Sequence, residues 1–459
     1  MRKTIVIFLL GLAIRVALIL VNPIIFGGDT IIRLNDRFTL LKSYQLPMLQ
    51  VLIAGISKIS MDPVLVRYMM ALIGAMAGVA FYWLVRDLFG EQYAFPSALL
   101  FATNPFITAV STVPFQEILM LAALFLAFHF FYREQWLWSS IALAAGCLTR
   151  YEAWIACPVL AAAFVWRKDR TIVGCLKALA LFGWMPLIWI LLHRGIAPTG
   201  HFVVERSISV WRLQRYVYLA WITVKFTQIT VIVLAIAGAW RLFTKRAALD
   251  WKLLVQIAFV ALFCFSLLFS AHGVNPDPER YVASREAHII IYFVVLLAAL
   301  GLAQWPRWSR SIVIASVALG IAGSFWYAWL ETSKPEIQLA WRLAKYLDAN
   351  VHSSERALVL SKPVENLQLY LEKARVTGGD EGYRQAVREM EGSALNGSDY
   401  NRLLVYSKLP RDRLLTPPAS TADWVAVWSD YPDARRAIGA TTPAVVLTAG
   451  QMSVTILKR

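Results

Sequence analysis

The sequence predicts a polytopic α-helical membrane protein of about eleven transmembrane helices with a small C-terminal α/β domain, on three observations. Of 459 residues, 58% are hydrophobic and only 16% charged, with a mean hydropathy of +0.56, so the chain carries more apolar surface than a water-soluble core of its size can bury. Apolar runs of about 15 to 25 residues, near the length that crosses a bilayer, recur as far as residue 330. After Lys334 and Pro335 they stop, and the remaining chain is mixed and water-compatible. The predicted division is therefore 1–333 for the transmembrane domain and 334–459 for the soluble domain.

The predicted spans are 4–22, 64–85, 94–111, 117–132, 136–149, 151–166, 174–192, 217–240, 251–271, 287–304 and 311–330. Arg2 and Lys3 precede an apolar run with no small-residue cleavage site before Asn22 and Pro23, so the first span is expected to stay in place. The pair at 136–149 and 151–166 reads either as two full spans or as a re-entrant hairpin, and both return the chain to the same side. Eighteen Trp and seventeen Tyr suit many interfacial crossings.

An odd number of spans with a cytoplasmic N-terminus places the C-terminal domain outside. The positive-inside rule agrees, because Arg86, Arg133, Arg167, Lys168, Arg170, Arg241, Lys245, Arg246, Lys252, Arg307 and Arg310 then all face the cytoplasm. The other face is basic too, with Arg33, Arg37, Lys42, Lys58, Arg67, Arg206, Arg212, Arg215, Arg280 and Arg285. These charges either meet outer-leaflet headgroups or bind an anionic ligand. The net charge of +16 is spread over the ends of apolar runs and forms no basic arm, so membrane lipids rather than nucleic acid are the expected partner.

In the C-terminal part, Ile337, Leu339, Leu343 and Leu347 give a helix over 336–350. The segments 357–361, 403–407, 424–428 and 454–458 read as short strands. No phosphate loop, Ser/His/Asp arrangement or metal-ligand spacing occurs there, and the sequon at Asn396 is expected by chance. All four cysteines (Cys147, Cys157, Cys175, Cys264) lie in apolar runs without zinc spacing and read as small buried hydrophobes.

Several ionisable residues stand out. Asp29, in IIFGGDTIIRLND, follows Gly27 and Gly28, which permit a tight reversal at the membrane surface; it is either an acid presented to an interfacial substrate or a turn or N-cap aspartate. Arg15 lies inside the first span, roughly 18 Å from Lys3 at 1.5 Å per residue, and either snorkels outward or pairs with a carboxylate or phosphate. Glu117 opens the fourth span, where helix capping alone also accounts for an acid. Arg150 and Glu152, in CLTRYEAW, form either a local ion pair or part of a site at membrane depth. The loop HGVNPDPERYVASREAH combines His272, Asp277, Glu279, Arg280, Tyr281 and Arg285, and a guanidinium beside an aromatic suits a phosphodiester headgroup.

The order of these features resembles the GT-C superfamily of integral membrane glycosyltransferases, including protein O-mannosyltransferases and lipid A aminoarabinose transferases. The similarity runs from the Arg-bearing first span and Asp29, through QLPMLQVLIAGISKI, RYMMALIGAMAGVAFYWLVRDLFG, LLFATNPFITAVSTVPFQEILML and LTRYEAWIACPVL, to PERYVASREAH, and covers residues 1–330. The resemblance implies transfer of a sugar from a polyprenyl- or dolichyl-phosphate donor to an acceptor hydroxyl on a protein, lipid or glycan, with inversion, at the outer face of a bacterial inner membrane. It implies Asp29 as the general base, Glu117 as a group positioning the acceptor, and Arg280 and Tyr281 with Arg150 or Arg15 as the donor-phosphate contacts. Several relatives carry an Asp-Glu pair in the first loop where this chain has Asp29 and Thr30, which leaves open whether a divalent metal ion is used; Asp29 and Glu117 would be its ligands. A transporter or flippase of a lipid-linked or anionic substrate is the competing class, with Lys225 as the mid-span charge it would use.

Overall fold

The computed structural model describes residues 2–40, 46–196, 213–244, 250–269, 287–302, 304, 309–352, 354–360, 402–403, 405–409, 414–415, 422–429 and 443–458. Its helices are α1 (Arg2–Val21), α2 (Gly28–Asn35), α3 (Met48–Ser57), α4 (Pro63–Phe89), α5 (Glu91–Ala102), α6 (Pro105–Val110), α7 (Gln116–Tyr132), α8 (Trp136–Cys147), α9 (Ala156–Arg167), α10 (Ile172–Phe182), α11 (Trp184–Ile196), α12 (Leu213–Phe226), α13 (Ile229–Thr244), α14 (Trp251–Phe269), α15 (Ala287–Leu302), α16 (Ser309–Thr332) and α17 (Pro335–Asn350). A 3-10 turn at Tyr151–Ile155 links α8 to α9. Two compact units result, one of Met1–Val21 with Leu40–Tyr327, the other of Asn22–Thr39 with Ala328–Arg459.

In the first unit α4 packs against α1, α5 and α7, and α7 against α8. Phe81, Phe101, Phe125 and Tyr292 fill the space between α4, α5, α7 and α15, with ring centroids 4.7 to 5.4 Å apart. Among the described residues, α1, α4 and α16 are each long and apolar enough to cross a bilayer. The predicted span 174–192 is a pair, α10 and α11, bent by 60°.

Two other predicted spans are each broken into two helices. The segment 94–111 stops at Thr103, and Asn104 then caps α6, its side-chain oxygen accepting from the Ile107 amide at 3.1 Å with Pro105 at the first helical position. The segment 217–240 breaks at Thr227 and Gln228. The breaks meet. Gln228 donates to the Thr103 carbonyl at 3.3 Å, and Asn104 donates to the Phe226 carbonyl and to the Gln228 side chain, both at 3.4 Å. Each interruption thus supplies partners for carbonyls freed by the other, a requirement where water is scarce. A Cβ at Gly320 of α16 would lie 2.3 Å from the Thr103 carbonyl oxygen, so glycine keeps this crossing open.

Helices α13 and α15 approach through glycine. A Cβ on Gly238 would stand 1.9 Å from the Leu297 carbonyl oxygen, and one on Gly301 would stand 1.9 Å from that of Leu234. Replacing Gly301 with Ala is expected to force the helices apart at a cost of about 1–3 kcal/mol. The measurement is thermal unfolding in detergent, and an unchanged midpoint would contradict this contact.

The second unit holds a five-stranded sheet of β1 (Ala357–Leu360), β2 (Leu414–Leu415), β3 (Trp424–Trp428), β4 (Val445–Ala449) and β5 (Met452–Lys458), in the order β2-β1-β3-β5-β4. β1 runs parallel to β2 and β3, and β5 is antiparallel to β3 and β4. Every residue of β3 is buried, as its unbroken apolar run demands of a central strand. Helix α17 packs on β4 and β5 and buries Ile337, Leu339, Ala340, Leu343, Ala344 and Leu347, the 3.6-residue stripe read from the sequence. The predicted strand at 403–407 is corrected, because Arg402, Leu403, Val405 and Tyr406 are helical. Helical spacing directs both Leu403 and Tyr406 inward, where Tyr406 meets the Trp341 ring and donates to the Ile25 carbonyl at 2.5 Å.

Glu355, just before β1, accepts from the Trp424 indole at 2.8 Å and from the His352 amide at 3.0 Å, with the Lys458 ammonium 3.5 Å away. The Trp424 bond first, then the His352 amide and Lys458, hold its carboxyl down to about 2, against an ordinary 4.5. A depressed carboxyl stabilises the fold fully above its unfolded value and loses that contribution as pH falls towards its folded one. The difference in melting temperature between wild type and Glu355→Gln should accordingly be constant above pH 4.5 and shrink towards zero near pH 2. A difference independent of pH would show that the carboxylate charge is not involved.

Candidate functional site

Three ionisable side chains predicted from the sequence converge in the first unit. Glu117 lies in the first turn of α7 and is buried, its N–H neighbours at the helix start favouring a negative charge. Arg150 caps the 3-10 turn in extended conformation and Glu152 lies within that turn. The Arg150 guanidinium donates from Nη1 to Glu117 Oε1 at 2.5 Å and from Nε to Glu152 Oε2 at 2.9 Å, and Nη2 also reaches Glu152 Oε1. One planar fork therefore bridges two carboxylates 35 residues apart in sequence, a geometry for which an ammonium is a poor substitute.

The surrounding backbone fixes this cluster. The Met48 amide at the start of α3 donates to the Leu148 carbonyl at 3.0 Å, and Gln116 donates to the Leu46 carbonyl at 3.5 Å. The proline-containing segment around Pro47 is thereby tied both to the residue before Glu117 and to the end of α8. Thr149 bonds back to the Ala145 carbonyl at 2.7 Å, and Trp154 donates to the Cys147 carbonyl at 2.9 Å, closing the turn that carries Arg150. His288, at the second position of α15 and fully buried, lies close enough to act electrostatically on Glu152. Sequence reasoning passed over it; a histidine at the start of an apolar run was the available signal.

Arg15 is elsewhere in this unit and joins neither carboxylate. It is fully buried, donating from Nε to Ser111 Oγ at 2.6 Å and from Nη1 to the carbonyls of Gly11 at 2.9 Å and Ala102 at 3.2 Å. A Cβ at Gly74 would stand 2.4 Å from its Nε, so glycine there makes room for the guanidinium. Lys225 is exposed on α12, with its ammonium 5.4 Å from the Phe226 ring centroid.

Asp29 belongs to the second unit, at the second position of α2. Gly27 precedes that helix with φ +89°, which favours glycine and makes the reversal read from the sequence. Thr30 is buried and its hydroxyl donates to the Phe26 and Gly27 carbonyls, both at 2.6 Å, so it braces the loop. Arg280 and Tyr281 lie outside the described residues. Among the described residues no three His, Cys, Asp or Glu side chains group as a metal site, and the Arg150 guanidinium already holds Glu117 Oε1.

The family model of dolichyl-phosphate-mannose-protein mannosyltransferases matches residues 45–192, a segment that contains Glu117, Arg150 and Glu152. No curated protein sequence matches the chain. Among solved structures it is similar to ArnT from Cupriavidus metallidurans in the apo state, at 13% identity and a TM-score of 0.55, covering 99% of this chain and 97% of that one. It is likewise similar to ArnT from the same organism bound to undecaprenyl phosphate, at 12% identity and a TM-score of 0.57, covering 98% and 97% of the two chains. The chain therefore has the fold of the GT-C superfamily of integral membrane glycosyltransferases.

Proposed function

We propose that this protein is a membrane glycosyltransferase that moves a sugar from a polyprenyl-phosphate donor to an acceptor hydroxyl at the outer membrane face, with inversion. The observation that carries this reading is the bridging of Glu117 and Glu152 by Arg150 inside the segment matched by the mannosyltransferase family model. Similarity to a protein whose structure was solved with undecaprenyl phosphate supports the donor class.

In the proposed reaction the acceptor oxygen attacks the anomeric carbon while the bond from that carbon to the phosphate oxygen breaks. Asp29 takes the hydroxyl proton, and the polyprenyl phosphate leaves with the bonding electron pair. Arg280, with Tyr281 beside it, meets the charge that grows on the departing phosphate, where a forked donor is most effective. Glu117, oriented by Arg150, accepts a hydrogen bond from the acceptor or the sugar. Arg150 organises that carboxylate, and Arg15, engaged with Ser111 and two carbonyls, braces α1 against α5 and α6. We further propose an extracytoplasmic C-terminal domain in a bacterial inner membrane.

The test is incubation of purified protein in detergent with labelled polyprenyl-phosphate sugars and acceptor extracts. Appearance of labelled product with one donor is the expected result. Absence of turnover with every donor, combined with donor-independent passage of lipid-linked substrate across vesicles, would favour a flippase instead.

A further inference from the structure

The turn that carries Arg150 and Glu152 is bracketed by two cysteines. Cys147 ends α8 and Cys157 lies in the first turn of α9, and their Sγ atoms are 3.6 Å apart. Neither sulfur meets a metal-ligand set among the described residues, and both are buried, Cys147 at 1% and Cys157 at 7% exposure. Cys175 and Cys264 sit on α10 and α14. A disulfide needs an S–S distance of about 2.05 Å, so a closer approach of the two sulfurs by about 1.5 Å would join this pair. Two helix ends brought together across a nine-residue connection leave the two sulfurs in hydrogen-bond contact with each other.

We propose that Cys147 and Cys157 form a redox pair whose disulfide staples the 148–156 turn and so locks the Glu117, Arg150 and Glu152 cluster. The oxidant is a small disulfide. The Cys157 thiolate, the more accessible of the two, attacks one sulfur of that disulfide, releasing one thiol and leaving a mixed disulfide on Cys157. The Cys147 thiolate then attacks the Cys157 sulfur, expelling the second thiol; the two protons go to the released thiols and two electrons pass to the oxidant. Closing the turn removes conformational freedom from the unfolded chain and stiffens the segment between the two helices.

The experiment uses the full chain in detergent with Cys175 and Cys264 replaced by Ser, treated with dipyridyl disulfide or left reduced, then denatured in maleimide and digested for mass spectrometry. The expected result is a Cys147–Cys157 cross-linked peptide, absence of maleimide on both residues after oxidation, and return of both adducts after dithiothreitol. Oxidation should also raise the melting temperature, and this rise should vanish in Cys147→Ser. Maleimide on both cysteines after oxidation, or separate pyridyl adducts on each, would overturn the proposal. These readouts need no sugar donor, so they stand or fall independently of transferase activity.

Discussion

Replacing Arg150 with Ala is expected to abolish sugar transfer and to destabilise the protein by about 3–5 kcal/mol, the usual cost of stripping one partner from a buried ion pair. The side chain of Glu117 is only 3% exposed, so loss of the guanidinium removes a charged partner from a carboxylate that water scarcely reaches, whereas Glu152 at 17% can recover some hydration and lies towards the cheaper end. Arg150→Lys should fall between, since one ammonium can hold either carboxylate but lacks the fork that spans both. Removing the demand as well as the donor provides the control. The triple change of Glu117 and Glu152 to Gln with Arg150→Met should regain much of the lost stability yet remain inactive. Thermal unfolding in detergent and the labelled-donor assay read the two effects separately. An Arg150→Ala protein that melts and turns over like wild type would remove the cluster from both roles.

The long apolar runs of α1, α4 and α16 were legible because a hydropathy window is as long as the helix it detects. The internal breaks of the predicted spans 94–111 and 217–240 were not, although the Asn104-Pro105 dipeptide is itself a helix-start signal. What converts that dipeptide from a kink into a break is Gln228, more than a hundred residues away, which donates to the carbonyl the break exposes. The same limit applies to the site. Arg150 and Glu152, two residues apart, could be paired by inspection, but nothing local to Glu117 says that it completes the bridge; helix capping explains an acid there equally well. In the C-terminal part the run LLVYS has strand composition, and its helical form depends on the partners met by Leu403 and Tyr406. Alternation and helical spacing cannot be separated over so few residues. Gly27 is the contrasting case. Its positive φ was implied by its identity alone, because the chain reverses there and no side chain has to be accommodated.

Asp29→Asn is expected to lower the transfer rate by about 10² to 10⁴, the range a positioned general base contributes, while the fold survives. Survival follows from how the loop is held: the Gly27 turn, the paired bonds of the Thr30 hydroxyl to Phe26 and Gly27, and the Tyr406 bond to Ile25 make no demand on the identity of residue 29. Asparagine at the second position of a short helix also keeps the size of the side chain and loses only its charge. Because proton removal matters in the transition state and not in ground-state binding, the loss should appear in kcat with KM little changed. The acid limb of the pH–rate profile, which reports protonation of the base, should disappear in the variant. Thr30→Ala is the complementary change. It deletes two hydrogen bonds that shape the loop, so it should lower stability and activity together, with the acid limb retained. Full activity in Asp29→Asn, or a fall confined to KM, would assign the proton transfer to another group.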